Sequence, residues 1–425
     1  MNNPVFMRLL RYFIILPVKI LGGVLLAAIV LASIPYALCP VYDFPAITPF
    51  SGNVLYNPYS SLNDSVSERK WLKANFHAHS VAWRGLAHGN SSLPALSNSY
   101  KRLGYDVAAV SNYHRMDTLP DFSEYFISSY EHGYNVRKAH QICIGAKDVV
   151  WTDYVFGHWM QQKQHNIKRL KEVTPVVALA HPIWQGAYSP ESMRFLTDYD
   201  AMEVFNHFRE SLELFDSAWS AGRTAWAMGA DDSHDVQGVG ENGVCWTMIY
   251  AAKPHRDSIL QALRLGRCYA VKLNSLLHER WKDLGSGLVR DSCLNAVNDC
   301  RLETLSVHGD SITLTMTGNV VLVRFIGQSG VVRNTISGKN VTGYRFRPDD
   351  TYIRAEILSP NTTIVLNPVI RTTNGSLPQA SATVNVVKTV LWLMLWLIAY
   401  GGLAFMLFRR YFRAKSMEKN AVKKC

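Results

Sequence analysis

The hydrophobic pattern divides the chain into three textures. Residues 20–38 and 389–408 are apolar runs of 19 and 20 residues without a charge. At about 1.5 Å per helical residue, each run covers the roughly 30 Å hydrocarbon layer of a bilayer. Both are expected as transmembrane helices. Between residues 70 and 275, short apolar runs alternate with stretches of helical period. Strands are expected at residues 73–76, 106–110, 142–145, 176–180, 201–205 and 225–228, and helices at 93–103, 158–173, 190–196, 211–221 and 256–265. Such alternation marks βαβ units and a parallel sheet. On the order of 200 residues of it suit a (β/α) barrel of seven or eight units. The alternative is an open doubly wound sheet, which the lack of a glycine-rich dinucleotide loop disfavours. From residue 280 to about 380 the pattern changes to short strands between Gly, Asn and Asp turns, a β-rich appendage.

The expected organisation is a cytoplasmic start with a transmembrane helix (1–39), a linker (40–69), the barrel (70–279), the appendage (280–385), and a second transmembrane helix with a basic tail (386–425). A net charge of +11 suggests nucleic acid until the charge is located. Residues 1–39 carry +3 and residues 386–425 carry +7, whereas residues 40–385 hold 33 basic against 32 acidic side chains. No basic nucleic-acid groove follows, and nucleic acid is not expected as a partner. Positive residues before the first run and after the second place both termini in the cytoplasm and the body outside it, periplasmic or extracellular. The alternative for the first run is a cleaved signal peptide, for which residues 33–38 offer no convincing small-residue site. Of the seven cysteines, Cys293 and Cys300 are spaced to close a small loop. Cys143, Cys245 and Cys268 lie in apolar contexts and are expected as buried thiols.

Candidate chemistry enters at the strand ends. Six places there carry His, Asp or Glu: His77-Ala78-His79, Asn112-Tyr113-His114, Glu131-His132, His140, His181-Pro182 and Asp232-Ser233-His234. Strand ends of a barrel converge on one mouth, so scattered positions become neighbours. Imidazole and carboxylate are donors that zinc, manganese and iron accept, and a set this rich exceeds one tetrahedral ion. Two or three divalent ions are expected. Taken singly, each motif is as well explained by a surface loop or a packed histidine.

These motifs, with the segment from Gly104 to Asn112 and in this order, resemble the PHP family, the polymerase-and-histidinol-phosphatase type of metal-dependent phosphoesterases. The resemblance covers roughly residues 70–275. It implies a (β/α)7 barrel, a trinuclear site and hydrolysis of phosphate esters. It also implies His77, His79, Glu131, His140, His181, Asp232 and His234 as metal ligands. One motif departs: Ser111-Asn112-Tyr113-His114 stands where the family usually has Thr-Asp-His. Asn112 then replaces a carboxylate and Tyr113 an imidazole, unless a shift of one residue brings His114 into the site as a ligand. Loss of those donors weakens one metal position. His88 is a further candidate ligand.

In the expected mechanism, Glu131 bridges the metals and Asp232 ligates one while orienting the attacking water. Arg84, Arg115 and Arg209 follow the metal motifs and are candidates for binding substrate phosphate. The membrane runs suggest a phosphorylated small molecule, a lipid-linked phosphate or a glycan phosphate as substrate. Two alternatives stay open: a metal-dependent amide or acyl-ester hydrolase, and a catalytically degenerate barrel kept as a binding or scaffold domain. Nothing in the sequence sets the oligomeric state.

Overall fold

Apolar length sets the two ends of the chain apart. In the computed structural model, which describes residues 11–63, 69–87, 89–236, 241–251, 255–274 and 300–422, the chain divides into two compact units. One joins Met1–Asp43 to Thr383–Cys425, and the other is Phe44–Ala382. In the first unit, helix α1 (Leu16–Leu38) leads into the two-residue strand β1 (Tyr42–Asp43). Both apolar segments, Phe13–Leu38 and Val386–Ser416, form helices long and apolar enough to cross a membrane. The Trp392 indole donates to the Tyr36 carbonyl (2.9 Å), and the hydroxyls of Ser33 and Tyr400 lie 2.8 Å apart. These polar contacts tie the two helices together. Cys293 and His88 lie outside the described residues.

The second unit begins with β2 (Val54–Tyr56), β3 (Lys70–Asn75), α2 (Leu93–Arg102), β4 (Val107–Ala108), β5 (Ser129–His132) and β6 (Gln141–Ile144). It continues through α3 (Met160–Val173), β7 (Val176–Leu179), α4 (Pro190–Met193), β8 (Ala201–Asn206), β9 (Arg209–Glu210), α5 (Leu212–Ser220) and β10 (Trp226–Ala230). Then come β11 (Cys245–Ala251), α6 (Arg256–Arg264) and β12 (Cys268–Leu273). The later strands are β13 (Leu302–His308), β14 (Ser311–Met316), β15 (Leu322–Ile326), β16 (Val332–Ser337), β17 (Val341–Arg345), β18 (Tyr352–Leu358), β19 (Thr362–Leu366) and β20 (Val369–Thr372). In the end unit, β21 (Thr383–Val384) pairs with β1 and precedes α7 (Val386–Val422).

One sheet runs β10-β8-β7-β6-β5, with β9 on β8. β10, β8 and β7 are parallel, and β6 is antiparallel to both its neighbours. Every residue of β7 and β8 is buried, as expected of strands covered on both faces. A second sheet runs β16-β15-β18-β19-β12-β11-β3-β4, where only β3 and β4 pair in parallel. Its β12–β19 ladder joins the segment expected as a barrel to the segment expected as an appendage. A third sheet holds β13, β14 and β17. Cys143, Cys245 and Cys268 are buried in the core.

The fold is therefore mixed α/β, and among the described residues no sheet closes into the expected (β/α)7 barrel. The sheets part between β4 and β5 and between β10 and β3, where the ladders are reduced to single bridges. β10 also packs against β11 without pairing to it. Gly229 brings the β10 backbone so close that a Cβ there would stand 2.5 Å from the Trp246 carbonyl oxygen. The Thr247 hydroxyl fills the place of a ladder bond, donating to the Gly229 carbonyl (2.8 Å) and accepting from its N–H (3.1 Å). β11 pairs with β3 and β12 instead. Two isolated bridges, Ala78 to Ser233 and Tyr113 to Glu131, still link the first two sheets, beside the residues that matter most for chemistry.

Candidate metal centre

Successive side chains of an extended chain point to opposite faces, so His77 and His79 share one face just past β3. Two backbone bonds zip this segment to the one after β10: Asp232 N–H to the His77 carbonyl (2.9 Å) and His79 N–H to the Ser233 carbonyl (2.7 Å). Asp232 is thereby brought beside both imidazoles. Glu131 lies in β5. His140 precedes β6, whose antiparallel direction returns its start to the edge where the other strands end. Gly133, at φ +134°, makes room for the His140 ring, which a Cβ would meet at 2.4 Å. His181 follows β7.

Four atoms converge. His77 Nε2 and His79 Nε2 are 3.2 Å apart. Glu131 Oε2 is 3.4 Å from the first and 3.1 Å from the second. Asp232 Oδ1 is 3.0 Å and 3.3 Å from the same two nitrogens. Ligands about 2.0–2.1 Å from one ion stand roughly 3.3–3.4 Å apart, close to each of these five separations, and His77, His79 and Asp232 together form a group that could hold an ion. On its other side, Glu131 Oε1 is 2.6 Å from His140 Nδ1 and 3.2 Å from His181 Nε2. Asp232 Oδ2 lies 4.0 Å from His181 Nε2. One carboxylate thus stands between two pairs of imidazoles.

None of these six side chains is more than 5% exposed. Burial penalises charge, yet Glu131 and Asp232 are held well below the usual carboxylate range, because His77 and the other imidazoles outweigh it. Burial likewise opposes charge on His77, but Asp232, Glu203 and Glu131 push its pKa well up. His79 and His181 shift upward against the same burial, through Asp232 and Glu131. His140 is lowered by burial in spite of Glu131, with His181 and Lys138 adding to the effect. The pocket demands positive charge. Glu131 Oε2 and His140 Nε2 are buried without a hydrogen-bond partner. A buried orphan of this kind is costly unless something else satisfies it. Nitrogen and oxygen donors at ligand-like spacing, two orphaned atoms and excess negative charge all fit divalent cations.

Around this set the backbone is strained. Trp83, Arg84, His114, Lys138, His181, Gln185 and Asp232 all have φ between 28° and 56°, the left-handed region that non-glycine residues avoid. A cavity of about 510 Å³ opens onto the set, with Tyr113, His140, His181, Trp184 and Asp232 in its wall.

The other sequence candidates sit outside the two donor pairs. His114 faces away: its Nδ1 donates to the Val150 carbonyl (3.0 Å), and its Nε2 accepts from Gly133 N–H (3.2 Å). Burial and His132 bring its pKa down to about 4, so it is a neutral ring with both nitrogens engaged. His234 lines the cavity, stacked 4.5 Å from His79, with Nδ1 2.8 Å from the Asp232 carbonyl oxygen. Arg84 is exposed, Arg115 is paired with Asp117 (2.9 Å), and Arg209 lies over the Trp184 ring at 5.3 Å. Asn112 binds no donor set. Its carboxamide accepts from Ser80 N–H (2.9 Å) and donates to Ser80 Oγ (2.8 Å) and Asp117 (2.7 Å), pinning the loop that carries His79. Tyr113 stacks on His79 at 4.8 Å.

No sequence motif marks Glu203. It accepts from His77 Nδ1–H (2.7 Å) and from the His181 backbone N–H (2.8 Å), and Asn206 steadies it at 3.0 Å. Carboxylates behind ligating imidazoles fix the tautomer and raise ligand basicity. The available signal is a lone acid in the fully buried strand Ala201–Asn206, with apolar Met202 and Val204 on either side.

No protein-family model matches the chain, and no curated protein does. Among solved structures, a two-domain protein from Bacteroides vulgatus, described as containing a predicted PHP-like metal-dependent phosphoesterase, aligns at 14% identity and a TM-score of 0.41. The alignment covers 81% of this chain and 99% of that one. A likeness this slight assigns no activity here.

Proposed function

We propose that the chain is a membrane-anchored, metal-dependent hydrolase of the PHP type, cleaving phosphate esters outside the cytoplasm. The observation that carries this reading is Glu131 standing between two imidazole pairs, because a carboxylate so placed can hold two cations side by side. His77, His79, Glu131 and Asp232 would hold one ion, and Glu131, His140 and His181 the other. Zinc, manganese and iron suit these donors. When bound, such ions supply Lewis acidity, making water acidic enough to attack phosphorus near neutral pH and neutralising phosphoryl charge.

The chain's own groups do the rest. Glu203 locks His77 with Nε2 forward and fixes the backbone entering His181. Asp232 Oδ2, facing His181 and 3.4 Å from Asn206 Nδ2, is placed to orient the attacking water. The two isolated bridges support reading β3 to β8 and β10 as an interrupted seven-stranded barrel whose mouth is the site.

The anchors favour a phosphorylated envelope substrate, lipid-linked or glycan. Assay of the metal-loaded full chain against phosphomonoesters, phosphodiesters, acyl esters and amides should show turnover of a phosphate ester. Turnover confined to acyl esters or amides would contradict the reading. Orientation has its own check: a reporter fused after Lys424 is expected to be active only in the cytoplasm, and activity outside would reverse the topology.

A further inference from the structure

None of the three arginines expected from sequence to bind phosphate lines the cavity above the donor set. Of the described residues that do line it, Lys138 alone carries a permanent positive charge. It is half-buried, and among the described residues no carboxylate lies within ion-pair distance of its ammonium. A cation in a concave wall with no carboxylate paired to it among the described residues is free to meet an incoming anion.

Its position is enforced. Lys138 sits at φ 56°, closed into a turn by its N–H to the Asn135 carbonyl (3.2 Å) and by His140 N–H to its own carbonyl (2.9 Å). The Asn135 side chain clamps Ala139 through N–H (2.9 Å) and carbonyl (3.3 Å), and reaches the buried Asp153 at 3.3 Å. Asp153 is itself held by His158 (2.7 Å) and Asn166 (2.8 Å). A rigid, buried network thus presents one lysine two residues before His140. Asp235 and Glu241 also line the cavity, so its wall carries acid as well as base. A phosphate anion is repelled by those two carboxylates and drawn to Lys138.

We propose that Lys138 is the substrate-binding residue that takes the phosphoryl oxygens, and that it sets which end of the substrate faces the donor set. This rests on the phosphoesterase reading and adds the group that recognises the anion. An ammonium with three rotatable donors serves as a point-charge partner for phosphate.

The test uses the metal-loaded full chain, with inorganic phosphate as probe, titrated calorimetrically. Lys138→Ala should weaken phosphate binding about 10- to 100-fold, the range of a lost charge-assisted hydrogen bond. The KM for a hydrolysed phosphate ester should rise in parallel, with kcat little changed and metal content as in the wild type. Lys138→Arg should recover most of the binding. Lys138→Asn, which tolerates a left-handed backbone, removes the charge should the alanine variant fold poorly. Unchanged phosphate binding in a metal-replete neutral variant overturns the proposal. So does a metal-replete wild type that binds no phosphate. A wild type that binds phosphate through Lys138 yet hydrolyses no phosphate ester upholds this proposal and sinks the catalytic reading.

Discussion

Glu131→Gln is expected to strip the protein of both metal ions and to lower hydrolysis by on the order of 10³-fold or more, since it removes charge from both halves of the centre at once. Each oxygen of Glu131 serves a different imidazole pair: Oε2 faces His77 and His79 at 3.4 and 3.1 Å, and Oε1 faces His140 and His181 at 2.6 and 3.2 Å. Glutamine keeps the shape but carries no charge. Its amide nitrogen, moreover, presents hydrogens to imidazole nitrogens whose lone pairs an ion requires. Among the described residues Glu131 makes no salt bridge outside the cluster, so the secondary structure should survive, which circular dichroism reads directly. A folded variant that keeps its metal and works within tenfold of the wild type would remove Glu131 from its bridging role.

The second large effect is on stability. Asp216 in α5 and Arg354 in β18 form a bidentate pair, with Nε and Nη2 each 2.8 Å from a carboxylate oxygen, and the Tyr352 hydroxyl donates to the same carboxylate at 3.1 Å. Their side chains are 6% and 2% exposed. The pair ties the helix that follows the Glu203 strand to the second sheet. Removing one member of a buried pair strands the other's charge, which costs about 3–5 kcal/mol. Asp216→Ala should therefore lower the urea midpoint of the Phe44–Ala382 unit by a corresponding amount, without a change in m. Combining it with Arg354→Met should recover much of the loss, because no charge is then left buried. A loss below about 1 kcal/mol for the single variant would mean that Glu356, 3.6 Å from Arg354, compensates.

What the sequence made legible followed periodicity and local spacing. The alternation placed α2, α3, α5 and α6 and strands β3, β7, β8 and β10 within a few residues, because each is a run long enough to show its period. The His77-x-His79 pair needed only extended chain to share a face. Pairing partners were another matter, since they depend on contacts distant in sequence. β6 runs antiparallel because the loop from His132 to Gln141 is too short for a parallel crossover, a rule available in advance. Strands β11 and β12 were read neither as strands nor as the join to β19, and that join is what carries one sheet across residue 280.

The same division holds at the centre. The residues marked by a motif, His77, His79, Glu131, His140, His181 and Asp232, lie together in the structure. His114 was not distinguishable from a ligand until its two nitrogens were seen to be engaged elsewhere. Glu203 lies behind His77 and His181, and Lys138 sits in a turn fixed by a buried network. Neither role shows in local spacing. Asn112, which departs from the pattern of the family the sequence resembles, is engaged by bonds to Ser80 and Asp117.

The central claim is that Glu131 and Asp232 organise a centre for two divalent ions. Its most direct test is elemental analysis of the purified 425-residue chain in detergent, after loading with zinc, manganese or iron and removal of excess metal. Two tightly held ions per chain, lost on Glu131→Gln, are expected. A chain that retains no metal under any of these loadings would contradict the account.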